Sequence, residues 1–145
     1  MKNVITLEPE EVNALFIGAD FVMDDWYFPK NKLIKVDDIL NGSTETIDED
    51  FIEEINEKLD RNDCTAADVI KHSLIEEWGE EPYTALEKLK GFSIKLKQVG
   101  EHHHDGQLVD YVIDLVSPNG KKTKITEQMC LVCGFEAQED VEIAL

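Results

Sequence analysis

The sequence predicts an α+β fold in which a helical N-terminal half packs on a three- to four-stranded antiparallel sheet from the C-terminal half. Three observations carry that expectation. Apolar residues recur at intervals of three and four as far as Gly91, they alternate with polar residues from Phe92 onward, and Ser117-Pro118-Asn119-Gly120 interrupts the alternating part as a hairpin turn. A chain of 145 residues with 42% hydrophobic residues is long enough to bury a core unaided, and without a composition break it reads as one domain over 1–145, helical to about 91 and a β-meander from about 92.

Val4 to Leu7 is a short β-prone run. Glu8-Pro9-Glu10-Glu11 then opens a helix, because Pro9 fits the first helical position and carboxylates suit the positive end of the helix dipole. Val12, Leu15, Phe16 and Ala19 give it one apolar face, with Gly18 either ending or merely weakening it. Trp26-Tyr27-Phe28-Pro29 is an aromatic cluster closed by proline, hence extended or turning, and reads as a core corner or as an aromatic contact patch. Leu33, Ile34 and Val36 are expected as a strand, and Asn41-Gly42 as a turn.

Thr46 and Glu49 have capping-box spacing ahead of an acidic helix running to about Asn62, with Phe51, Ile52, Ile55 and Leu59 as a stripe committed to the core. Thr65 caps another helix, through Val69, Ile70, Leu74 and Trp78 to Gly79. Pro82 opens a shorter one carrying Leu86 and Leu89 and closed by Gly91. Phe92 to Val99, Leu108 to Val116 and Lys122 to Thr126 are the three strands of the meander. The segment from Thr126 to Gly134 fits either a short helix or another strand, and Val141, Ile143 and Leu145 fit either a terminal edge strand or a frayed tail.

The formal net charge of −18 is the strongest functional signal. Self-repulsion of that size opposes compaction beyond what solubility needs, and it disfavours direct binding to nucleic acid or an anionic membrane. A basic protein partner is expected instead. Residues 1–80 hold 21 acids against 7 bases, whereas residues 81–145 hold 11 against 7, so the helical half is the anionic half. Lys88 to Lys124 contains seven lysines and four acids, which makes the molecule electrically polar. Three cysteines, the absence of an apolar leader after Met1 and no run approaching the ~20 residues of a membrane span point to a soluble cytoplasmic protein.

The bias peaks between Asp37 and Asp63, with eleven acids against Lys58 and Arg61. On a helix rising about 1.5 Å per residue, Glu49, Glu53, Glu57 and Asp60 recur every ~5 Å. That spacing resembles the few ångströms between successive phosphates of a nucleic-acid strand, about 3.4 Å of rise per base. The expected function is a non-enzymatic acidic inhibitor, a nucleic-acid mimic of immunity or phage anti-defence type, occupying the basic site of a nuclease or other nucleic-acid-handling enzyme. Its contact residues would be Asp48, Glu49, Asp50, Glu53, Glu54, Glu57 and Asp60, with Trp26 and Tyr27 as an aromatic anchor. A solvated helix face is the plain alternative for these acids.

Cys130-Leu131-Val132-Cys133 has the spacing with which two thiolates hold zinc, and His102, His103 and His104 offer imidazoles, so a small zinc-binding domain is the other functional reading. The bulky Leu131 and Val132 suit buried cysteines better than a zinc knuckle. No phosphate loop, nucleophile elbow or metalloprotease motif is present, and no residue set nominates a catalytic acid, base or nucleophile.

Overall fold

Most described stretches of the chain fold as their capping residues and apolar spacing direct, with departures where neighbours override them. The computed structural model describes residues 3–23, 27–44, 47–102, 108–130, 134–135 and 137–145. In chain order these form β1 (Val4–Leu7), α1 (Pro9–Val22), β2 (Ile34–Lys35), α2 (Val36–Asn41), α3 (Glu49–Leu59), α4 (Ala66–Trp78), α5 (Glu80–Glu87), β3 (Ser93–His102), β4 (Leu108–Val116), β5 (Lys122–Cys130), β6 (Gly134–Phe135) and β7 (Val141–Ala144). The helices lie mainly in the N-terminal half, and both sheets are antiparallel, as expected of the α+β class.

α1 begins at Pro9, and the Glu8 N–H is satisfied by Glu11 Oε1 at 3.2 Å. Gly18 does not end it. The helix runs on to Val22, and the missing side chain admits α5, since a Cβ at Gly18 would stand 3.1 Å from the Pro82 carbonyl oxygen. α4 is capped as expected: Thr65 N donates to Asp68 Oδ2 at 2.8 Å, and Thr65 Oγ1 accepts from Asp68 N at 3.4 Å. That backbone hydrogen bond from Thr65 is the main reason the Asp68 carboxyl titrates below its ordinary range.

The large sheet has the order β2-β3-β4-β5-β6, three long strands flanked by two-residue strands. Its register sets Ile94 opposite Leu115, and Leu96, Ile113 and Ile125 in one cross-strand row. These buried residues meet Leu15, Phe16 and Ala19 of α1, Leu74 of α4 and Leu86 of α5 in the main core. Helices therefore cover one face of the sheet. β1 pairs with β7 in a separate two-stranded ribbon, which resolves the end of the chain as a strand.

Four local expectations are corrected. Leu33 to Val36 is not a full strand: only Ile34 and Lys35 pair with β3, and Val36 begins α2. Gly42 supplies the left-handed cap of α2, with φ of 70°, so the Asn41-Gly42 signal marked a helix end. α3 stops at Leu59, short of Asn62, because Asp60 adopts φ of 51° and returns its N–H to Asn56 and Glu57 carbonyls. α5 begins at Glu80, so Pro82 is its third residue and not its first. The open choice after Thr126 falls to a strand, β5 continuing to Cys130.

Candidate functional site

The acidic helix α3 owes its start to Asp48, whose Oδ1 accepts the N–H groups of Asp50 at 3.0 Å and Phe51 at 3.3 Å. Asp48, not Thr46, is thus the cap; Thr46 lies outside the described residues. The sequence signal was misread by one plausible pair, since any Asp, Ser or Thr before an apolar run can cap. Asp48, Glu49, Asp50, Glu53, Glu54, Glu57 and Asp60 are all exposed.

At 100° per residue, Glu49, Glu53 and Glu57 fall within an arc of about 80° and along about 12 Å of axis, and Asp60 follows as the left-handed cap at the end of the helix. The nearby cations are engaged elsewhere. Lys58 Nζ lies 3.8 Å from Glu54 and 4.0 Å from Glu76, while Arg61 Nε hydrogen-bonds Asp63 Oδ1 at 2.9 Å and its Nη2 stands 4.0 Å from Asp68. Glu49, Asp50, Glu53, Glu57 and Asp60 have no ion pair among the described residues. The result is a ridge of carboxylates whose charge is not neutralised locally.

The expectation that the apolar stripe of α3 is committed to the core is overturned. Ile55 is 5% exposed, but Phe51 is 45% and Leu59 37% exposed, and Ile52 is only partly buried. α3 packs principally on α4, where Ile55 joins Cys64 and Val69 in a satellite cluster apart from the main core. Asn56 Oδ1 accepts the Cys64 N–H at 3.0 Å and holds the connection between the two helices.

Of the proposed aromatic anchor, Trp26 lies outside the described residues. Tyr27 is half-buried and packs against the main core; its hydroxyl donates to Ser73 Oγ at 3.4 Å, and its carbonyl accepts from Thr44 Oγ1. Its neighbour Phe28 is buried, which fits the core-corner reading. A surface hollow of about 670 Å³ opens beside Tyr27, with Lys32, Lys35, Asp38, Ser43 and Thr44 in its wall. The sequence reading did not find it, because residues from two separate stretches line it.

The lysines of the meander occupy the sheet face opposite the helices. Lys95, Asp114 and Lys124 form one cross-strand row, with Lys97 and Lys122 in the rows beside it. Asp114 lies 3.9 Å from Lys95 and 3.7 Å from Lys97, while Lys122 and Lys124 are exposed. This face thus carries more base than acid, in contrast to the exposed face of α3.

Of the zinc candidates, His103, His104 and Cys133 lie outside the described residues. The backbone register places His102, Leu108 and Cys130 in one row at the same end of the sheet. With strands spaced about 4.8 Å, His102 and Cys130 are about 10 Å apart at their Cα atoms. Among the described residues, no group of three or more His, Cys, Asp or Glu side chains could hold a metal ion, and no helix is long and apolar enough to cross a membrane. Comparison of the chain with protein-family models, with curated proteins and with solved structures finds no match.

Proposed function

We propose that the protein is a non-enzymatic acidic inhibitor that occupies the basic groove of a nucleic-acid-handling enzyme, with α3 in the place of a phosphate strand. One observation carries this reading: the carboxylates of Glu49, Glu53 and Glu57 share one exposed face of a capped helix, with exposed Asp60 at its end, and all four lack ion-pair partners among the described residues. Holding these charges on a rigid rod spares the partner the entropy of ordering them. The lysines on the far face of the sheet give the molecule a charge asymmetry that orients α3 toward a basic partner during approach. An intracellular setting of host-defence or anti-defence type suits such a role, and the buried free thiol of Cys64 suits a reducing cytosol.

The test is displacement. Nucleases and other nucleic-acid-binding enzymes, each loaded with a fluorescent oligonucleotide, are titrated with the protein at low salt and at about 0.5 M NaCl, where screening is nearly complete beyond a few ångströms. The reading expects displacement from at least one enzyme at low salt, weakened at high salt and abolished by Glu49→Lys, Glu53→Lys and Glu57→Lys together. Displacement unchanged by the triple reversal would sink it.

A zinc domain built on Cys130, Cys133 and one or two of His102 to His104 is the second reading. Its support is the register that brings His102 and Cys130 to the same end of the sheet. Elemental analysis of protein purified without a metal-binding tag decides it, since a structural site retains about one zinc per chain.

A further inference from the structure

Phe51, Ile55 and Leu59 recur every fourth residue, so they form one line that slants around α3 by about 40° per step. α4 covers only the middle of that line: Ile55 is buried at 5% exposure, whereas Phe51 and Leu59, about 12 Å apart along the axis, stand 45% and 37% exposed. Carboxylates surround both ends. Asp50 and Glu54 lie one residue before and one turn after Phe51, and Asp60 and Asp63 follow Leu59; all four are exposed. A surface that mimicked phosphate alone would need no apolar side chains beside its charges.

We propose, on the reading of α3 as a partner-binding surface, that the partner is a protein whose basic cleft has an apolar floor. Phe51 and Leu59 enter that floor while Asp50, Glu54 and Asp60 meet Lys or Arg on its rim. This is helix-in-groove recognition, with the anchors left uncovered by α4. Charge selects the occupant. Nucleic acid and anionic lipid are repelled by the flanking acids, and a second copy docked helix to helix would set like charges against each other. A flexible polycation without apolar groups would pair the acids and leave Phe51 in water. Phe51 thereby takes the anchor role that Tyr27, packed against the core, is poorly placed to fill.

Two synthetic helical peptides with equal numbers of lysines are the probes, one carrying leucines on its second face and the other glutamines. Binding to isotopically labelled protein is followed by backbone amide shifts at low salt and at about 0.5 M NaCl, a concentration that screens surface charge. The lysine–leucine peptide is expected to bind about tenfold tighter, to shift the Phe51, Ile55 and Leu59 amides, and to persist at high salt. Phe51→Ser with Leu59→Ser should reduce it to the level of the lysine–glutamine peptide, and Phe51→Leu should retain most of the difference. Equal affinity and equal salt sensitivity of the two peptides, or shifts confined to other elements, would overturn the apolar floor while leaving the acidic-inhibitor reading standing. Failure of both peptides to bind α3 would defeat the two together. Unchanged amide spectra of the free variants away from α3 establish that the fold is kept.

Discussion

Gly42, which ends α2, is pressed against Ala66, the first residue of α4: a Cβ at Gly42 would stand 2.6 Å from the Ala66 carbonyl carbon and 2.7 Å from Ala67 N. Gly42 also holds φ of 70°, in the left-handed region. Gly42→Ala therefore meets backbone strain and a backbone clash at once, and is expected to cost about 3 kcal/mol or more. Gly120, in the hairpin turn, has φ of 84° but nothing within 4 Å of its Cβ position. Gly120→Ala should cost only about 1–2 kcal/mol. Urea unfolding of the two variants measures the difference, and equal costs would mean that α2 and α4 separate easily.

Asp68 is held below its ordinary titration range chiefly by the Thr65 backbone hydrogen bond. For a carboxyl whose folded pKa is depressed, the stabilisation is complete above the unfolded value, 3.8 for this group, and is lost as pH falls through the folded value. Asp68→Asn should destabilise at pH 7 by about 1 kcal/mol, the usual worth of a cap. The gap between variant and parent should narrow below pH ~4. A gap that stayed constant with pH would remove the charged cap from the explanation.

Glu127 has the opposite sign. Partial burial on β5, opposite Tyr111, raises its carboxyl above the ordinary value of 4.5. Here the folded state holds its proton more tightly than the unfolded one, so ionisation near neutral pH costs stability, and that cost is relieved as pH falls from above the folded value to below 4.5. Glu127→Gln is expected to stabilise at pH 7 and to have no such effect at pH 3. Thermal melts at the two values test the sign.

Reversal of Glu53 and Glu57 to Lys separates binding from folding. Both side chains are exposed on α3, and the chain carries a net charge of −18. Removing repulsion should leave the melting temperature in low-salt buffer unchanged or higher, while the displacement of oligonucleotide described above is lost. A variant that melted lower and bound as before would contradict both halves of the expectation.

Most of the fold was legible because its signals are local. Pro9, the Thr65–Asp68 pair and the alternation in β3 to β5 each dictate their own element. α2 escaped because six residues beginning with Val36 are too few to display a helical period. The partial cover of α3 escaped for a different reason: spacing tells which residues share a face, but not how much of that face a neighbour reaches, and here Ile55 is buried and Ile52 partly so while Phe51 and Leu59 stay exposed. The acids were found correctly as exposed, since charge on a capped amphipathic helix has nowhere else to go. Tyr27 was harder, because an aromatic cluster beside proline can be a corner or a contact patch, and although the corner is the commoner outcome only the packing of Tyr27 and Phe28 on the core distinguishes them.

The β1–β7 ribbon sets an order on folding. Leu145 N donates to Asn3 O at 3.0 Å, so a hydrogen bond joins residues separated by nearly the whole described chain. Bringing such distant segments together costs loop-closure entropy that four-residue strands repay only once the intervening helices and sheet have already shortened the path. The ribbon is therefore expected to close after the core has formed and to open before it. The amide protons of Ile5 and Ile143 should then exchange faster than those in the middle of β3, β4 and β5, because the ribbon can open while the rest of the molecule stays folded.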